Sequence, residues 1–248
     1  MDFDLFIRQI EIDKEKIKNF DIYPFNIKCI RNFSTLKFNK KVTFLIGENG
    51  IGKSTLIEAL ACTQGLNPEG GTQNFLFKTK DTHSCLYNYL KVYRQGTIPK
   101  TKFFLRAESF YNFSTEVQRL VEEDHFGELY FSYGGNLHTC SHGESFIRLI
   151  KNRFTDHGLY ILDEPEAALS PSRQLSLLCF IDELAKEGSQ FIIATHSPIL
   201  ISYRDGEIFD LNNDFKLTKY EDTEIYKTYK MYLDNPYDMQ RRLFDVDD

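Results

Sequence analysis

The sequence predicts an α/β protein, a mostly parallel sheet flanked by helices and entered through an N-terminal antiparallel β-hairpin. Three observations predict it. The runs Lys41–Gly47, Gly158–Glu164 and Phe191–Thr195 are apolar without polar alternation, as strands covered on both faces must be. Helical patterns over Lys53–Ala61, Glu144–Phe154 and Pro171–Gly188 alternate with them, the arrangement that builds a parallel sheet. A glycine-bearing loop, Gly47–Thr55, sits where the first of these strands gives way to the first helix.

The elements follow in order. Phe25–Arg31 and Thr35–Phe38 read as the two hairpin arms, joined by Asn32-Phe33-Ser34. Gly65–Gly71 (GLNPEGG) is turn-rich and reads as a surface loop. Lys102–Ser109 (KFFLRAES) is a further strand, and Thr115-Glu116-Val117-Gln118 has the capping-box spacing that opens a helix. A glycine-rich stretch follows at Tyr133–Asn136. Ser170 before Pro171 reads as an N-cap with proline at the first helical position, and Gly188 closes that helix. After Asp222 come two short helices and the acidic end DVDD. The reading is one domain over 1–248, with a core over 25–211, a helical insertion over 110–155, and a C-terminal strand with short helices over 212–248.

Composition narrows the function. With 248 residues, 42% hydrophobic and 27% charged, the chain has the make-up of a globular enzyme. A formal net charge of −6 argues against a surface coated in basic residues, while leaving room for a local basic groove. Five scattered cysteines without a CxxC pair argue against a disulfide framework and for a reducing cytoplasm. The amino terminus lacks an apolar signal core, and no apolar run approaches the ~20 residues that span a bilayer. The expectation is a soluble, cytoplasmic protein without a membrane domain.

Four motifs carry chemistry. Gly47-Glu48-Asn49-Gly50-Ile51-Gly52-Lys53-Ser54-Thr55 matches G-x-x-x-x-G-K-[ST] and lies between a strand and a helix. Its glycines let backbone N–H groups turn inward onto phosphate oxygens, and the helix N-terminus adds its positive end. Lys53 would reach the β- and γ-phosphates, and the Ser54 hydroxyl would ligate Mg²⁺. In LYILDEP, Asp163 falls at the carboxyl end of an apolar strand, where it would hold Mg²⁺, and Glu164 would act as general base toward water. SHGES (Ser141–Ser145) opens a helix. It reads either as an ordinary N-cap or as a second phosphate-binding surface built on Ser141 and Gly143. THSP puts His196 just after a buried strand, within reach of a γ-phosphate.

In this order the four motifs resemble those of the ABC ATPase superfamily. GENGIGKST looks like Walker A, LYILDEP like Walker B with its catalytic glutamate, SHGES like the signature, and THS like the switch-histidine loop. The resemblance covers Phe25 to Leu211. It implies a P-loop NTPase fold of the ABC ATPase-head kind, with ATP as substrate and Mg²⁺ as cofactor. It also implies ATP sandwiched in a homodimer, each protomer lending its signature to the other's P-loop. More narrowly, FFLRAESF, SHGES and DEPEAALSPSRQ look like stand-alone bacterial ATPases related to the SMC, RecF and SbcC group. That narrower likeness implies double-strand break repair or other DNA maintenance, or anti-phage defence, with nucleic acid or an effector protein as partner. The alternative is the ATPase subunit of an ABC transporter.

Three positions depart from the family pattern: His142 replaces a signature glycine, Ser170 replaces the D-loop aspartate, and no glutamine follows the KFFLRA strand. Glu108 is the nearest residue in placement and a candidate Mg²⁺ ligand. The interval Thr55–Ser141 holds too many glycines and prolines for a coiled-coil arm. His138, Cys140 and His142 lack the second ligand pair a structural zinc needs. Tyr23, Phe25 and Phe33 are aromatic candidates for adenine stacking, for which core packing is the simpler reading.

Overall fold

The computed structural model describes residues 5–68, 70–71, 84–108, 110, 115, 119 and 142–244. The expectations for Glu116–Gln118, Tyr133–Asn136, His138, Cys140, Ser141 and the DVDD end lie outside the described residues. In chain order the strands are β1 (Ile7–Ile12), β2 (Thr35–Lys37), β3 (Val42–Ile46), β4 (Leu90–Arg94), β5 (Thr101–Arg106), β6 (Gly158–Asp163), β7 (Gln190–Ala194), β8 (Glu207–Asp210) and β9 (Lys216–Thr218). The helices are α1 (Lys28–Asn32), α2 (Lys53–Thr63), α3 (His142–Arg153), α4 (Pro171–Lys186), α5 (Pro198–Ile201), α6 (Glu224–Asp234) and α7 (Pro236–Phe244).

Six strands form the main sheet in the order β5-β6-β7-β3-β8-β9. All its pairs are parallel except β8 with β9. The apolar runs explain the centre: every residue of β3, β6 and β7 is buried. Side chains alternate across the sheet, so each strand feeds two cores. Leu45, Ile161 and Ile192 join α1, α2 and β1 on one face. Phe44, Leu162 and Ile193 join α3 and α4 on the other. Parallel pairing brings the carboxyl ends of β3, β5, β6 and β7 to a single edge, and this edge holds the site.

The second sheet is antiparallel, β2-β1-β4, with Ile10 opposite both Leu36 and Val92. Gln190 ties it to the first: its amide accepts from the Ile7 N–H and donates to the Ile7 carbonyl, both at 2.9 Å. This corrects the expected hairpin. Thr35–Lys37 is a strand, but its partner is Ile7–Ile12, and Lys28–Asn32, spanning the end of the expected first arm and the start of its joining loop, is a helix. Phe25, Cys29 and Phe33 recur at helical spacing and are all buried, so the helical period prevails over the apparent strand. Ile7, Ile10 and Ile12 are the buried residues of β1, masked in the sequence by intervening charged and polar side chains. Phe25 and Phe33 are therefore core residues, while Tyr23 is exposed. KFFLRAES also stops being a strand at Arg106 rather than Ser109.

Ser170 stands at the N-cap of α4 with Pro171 next, yet its hydroxyl caps no backbone N–H; its carbonyl accepts from Arg173 and Gln174. Gly188 follows the helix with φ of 93°, as a left-handed terminator should. Among the described residues no helix is long and apolar enough to cross a membrane.

Candidate active site

The loop from Gly47 to Gly52 leaves the buried end of β3 and enters α2. Gly52, at the N-cap of α2, has φ of 112°, which side chains rarely adopt. A Cβ there would come within 2.7 Å of Cys29 Sγ and 2.8 Å of Ile27 Cγ2, so the loop packs directly on α1. Glu48, Asn49 and Gly50 form its exposed crest, Ile51 packs back onto the core, and Thr55 is half-buried on α2. Asn212, beyond β8, steadies the crest by accepting the Glu48 N–H at 3.1 Å.

Lys53 is buried and folds back over the loop, its Nζ donating to the carbonyls of Gly47 at 2.8 Å and Glu48 at 3.0 Å. Burial pulls its pKa down, and the carboxylates of Glu164, Asp163 and Glu166 pull it back up. Ser54 Oγ donates to Asp163 Oδ1 at 3.1 Å, joining the start of α2 to the end of β6. Asp163 is buried, and desolvation raises its pKa to about 6 against the opposing pull of Arg106.

Arg106 is a residue sequence reading missed. In register it lies directly beside Asp163. Its Nε is 3.6 Å from Asp163 Oδ2, and its other nitrogens pair with Glu58 at 3.2 Å and Glu108 at 3.0 Å. Glu108 itself is exposed, with Arg106 standing between it and Asp163, so the structure brings Ser54 and Asp163 together but not Glu108 with them. The available signal was positional: a residue at the end of one parallel strand must neighbour the end of the next.

Glu164 follows in a left-handed conformation, φ 50° and ψ 50°, unusual for a residue with a side chain. Its N–H donates to the Ala194 carbonyl at 2.9 Å, which pins the turn to β7. His196, two residues beyond β7, places Nε2 at 3.7 Å from Glu164 Oε1. Desolvation, then the Lys53 charge, lowers the His196 pKa, with Glu164 opposing. The His196 N–H donates to Glu166 Oε1. Gly143, in the first turn of α3, packs on the far side of this turn: a Cβ would lie 2.7 Å from the Ala168 carbonyl oxygen and 2.9 Å from Arg173 Nη1.

Comparison with known proteins fits this geometry. The family model described as "ABC transporter" matches residues 31–167, more than half of the chain. The chain belongs to this ABC ATPase family. A second model, described as "AAA domain, putative AbiEii toxin, Type IV TA system", matches residues 145–202. The chain is 24% identical to a ribose import ATP-binding protein of Caldanaerobacter subterraneus over 77% of its own length and 40% of that protein's. A ribose import ATP-binding protein of Bacillus cereus is 29% identical over 69% of the chain and 36% of the relative. The chain thus spans about two fifths of the length of these curated relatives. Among solved structures, an SMC head domain from Thermotoga maritima is similar with a TM-score of 0.43 and 16% identity, covering 83% of this chain and 95% of that one.

ABC ATPases bind ATP and use Mg²⁺ in its hydrolysis, and the residues present fit both groups. Ser54 and Asp163 offer adjoining hard oxygen donors suited to Mg²⁺. Arg106 Nε, Glu166 Oε2 and His196 Nε2 are buried without a hydrogen-bond partner among the described residues, an excess of polar valence at the same edge.

Proposed function

We propose that this ABC-type ATPase hydrolyses ATP at the shared edge of β3, β6 and β7, with the nucleotide held between two copies of the chain. The observation that carries the reading is the convergence of Ser54 on Asp163 at 3.1 Å and of His196 on Glu164 at 3.7 Å, beside a phosphate loop with a buried lysine. In this reading the backbone N–H groups of Gly47–Thr55 and the Lys53 ammonium bind the phosphates. Ser54 and Asp163 would hold Mg²⁺, which when bound would supply neutralisation of the triphosphate's charge. Glu164 accepts a proton from the attacking water as its oxygen bonds to the γ-phosphorus and the bond to the bridging oxygen breaks, leaving ADP and phosphate. His196 donates to the γ-phosphate, and Ser141 with Gly143 completes the partner's site. Glu108, paired with Arg106 at 3.0 Å, would reach the ion only by leaving that pair.

The cycle drives a soluble partner, nucleic acid or an effector protein, in DNA maintenance or anti-phage defence. What supports this is the segment after β5, where Glu108 on Arg106 replaces the glutamine expected of a transporter, together with similarity to a type IV TA system domain. A second reading, the energy subunit of an importer, is favoured by the relatives named ribose import ATP-binding proteins. The test is steady-state turnover with duplex DNA, single strands and co-purified protein added in turn, with Glu164→Gln as control. Stimulation by one of these, and a Glu164→Gln protein that binds ATP but turns over at least about a hundredfold slower, is expected. Stimulation only by a reconstituted membrane partner would install the importer reading. Wild-type turnover in Glu164→Gln would remove the assignment of the base.

A further inference from the structure

Glu166 is a charged group of this edge that the reaction above does not use. The 3-10 turn Pro165–Ala168 carries it beneath the loop after β7. There Oε1 accepts the His196 N–H. Its other oxygen, Oε2, is buried with no hydrogen-bond partner among the described residues. Leaving a carboxylate oxygen unsatisfied inside a protein is costly, and burial accordingly pushes the Glu166 pKa up. His196 Nε2 is likewise buried and unpartnered among the described residues, 3.7 Å from Glu164 Oε1 and so beyond hydrogen-bond reach of it. A loop latch alone would not need a charged acceptor, since a backbone carbonyl can receive an N–H. The charge makes the bond stronger, and it is applied to the backbone of His196, whose imidazole stands 3.7 Å from Glu164.

We propose that Glu166 is a positioning residue for ATP hydrolysis, which by gripping the His196 backbone N–H sets where the imidazole stands relative to Glu164. This rests on the reading of Glu164 and His196 as the hydrolytic pair. In this role Glu166 acts through the histidine, by way of the His196 N–H. A ring held a fraction of an ångström off its line lowers the rate of the chemical step while leaving phosphate binding, which belongs to the loop before α2, unchanged.

The experiment is a double-mutant cycle on kcat, KM and ATP affinity with Glu166→Ala, Glu166→Gln, His196→Ala and the two combinations, melting temperatures being recorded for each. Glu166→Ala is expected to lower kcat by about tenfold with KM and Kd within about twofold of wild type. Glu166→Gln retains an acceptor oxygen without the charge and is expected to recover part of that loss. Beside His196→Ala, either Glu166 change should cost nothing further, because the ring being positioned is gone. Should Glu166→Ala fail to fold, the smaller loss in Glu166→Gln carries the cycle and must vanish in the same background. Wild-type kcat in Glu166→Ala, or an equal loss with and without His196, overturns the inference and leaves a purely structural latch. Wild-type turnover in His196→Ala overturns instead the underlying reading of the pair.

Discussion

His196 carries the most informative electrostatics of the edge. Desolvation, and then the nearby Lys53 ammonium, hold its pKa below the ordinary 6.5, and Glu164 at 3.7 Å opposes them only in part. The folded protein therefore binds this proton less readily than the unfolded chain. The stability that depends on a neutral ring is present above 6.5 and is lost as pH falls through the folded pKa. His196→Gln has no such proton to take up. Melting temperatures of wild type and variant, compared from about pH 8 to about pH 5, should diverge only on the acid side, with wild type losing ground below the ordinary histidine value. A difference that stays flat, or that favours wild type on acidification, would contradict the balance of charges described here. At this scale the motif residues were legible, because Lys53, Ser54, Asp163, Glu164 and His196 each sit in a short pattern with its own chemistry. Arg106 and Glu166 were not. Arg106 matters because β5 lies in register beside β6, and Glu166 because its turn meets the loop after β7. Neither adjacency is local in sequence.

Among elements, the contact between the phosphate loop and α1 decides how far the loop can be altered. Gly50 and Gly52 both have positive φ, 78° and 112°, yet their surroundings differ. Nothing lies within 4 Å of a Cβ at Gly50, whereas one at Gly52 meets Cys29 Sγ at 2.7 Å and Ile27 Cγ2 at 2.8 Å. Gly50→Ala should then cost only the left-handed conformation, about 1 kcal/mol. Gly52→Ala adds overpacking against α1 and should cost about 3 kcal/mol in urea unfolding, with ATP affinity falling as the loop is pushed off its helix. Cys29→Ala in the same chain should return part of the loss; equal costs at the two glycines would refute the packing account. The helix α1 is the element that sequence reading mistook for a strand. Its buried residues Cys29 and Ile30, with Phe25 and Phe33 flanking the helix, satisfy both a short strand and a helical face, and length alone could not separate them. Buried strands β3, β6 and β7 left no such ambiguity, since each is a mainly apolar run without polar alternation and bounded by glycine or a motif. β1 escaped notice because its burial shows in only three positions, Ile7, Ile10 and Ile12.

At the scale of the whole molecule the question is whether one chain holds a complete site. Gly143 packs against the Ala168 carbonyl, on the turn that follows Glu164, and against the Arg173 side chain of α4, so the first turn of α3 rests on its own chain's Pro165–Ala168 turn. If each protomer offers a phosphate loop at one place and a signature at another, an isologous pair completes two sites at once, and neither protomer completes one alone. This arrangement makes a prediction that simple mass measurement does not. Lys53→Ala removes the phosphate loop's cation and leaves the signature intact, while Ser141→Arg blocks the signature and leaves the loop intact. Each variant alone builds only sites with one faulty half and should be inactive. Mixed, they form some pairs in which the good loop of the Ser141→Arg chain faces the good signature of the Lys53→Ala chain. ATPase activity should therefore reappear on mixing, rise with the concentration of the minor partner and saturate below the wild-type rate. Sedimentation of Glu164→Gln with Mg-ATP should show the same pairing as a doubling of mass. Two inactive variants that stay inactive at every ratio, with Glu164→Gln remaining monomeric at saturating nucleotide, would mean that the site is completed in some other way.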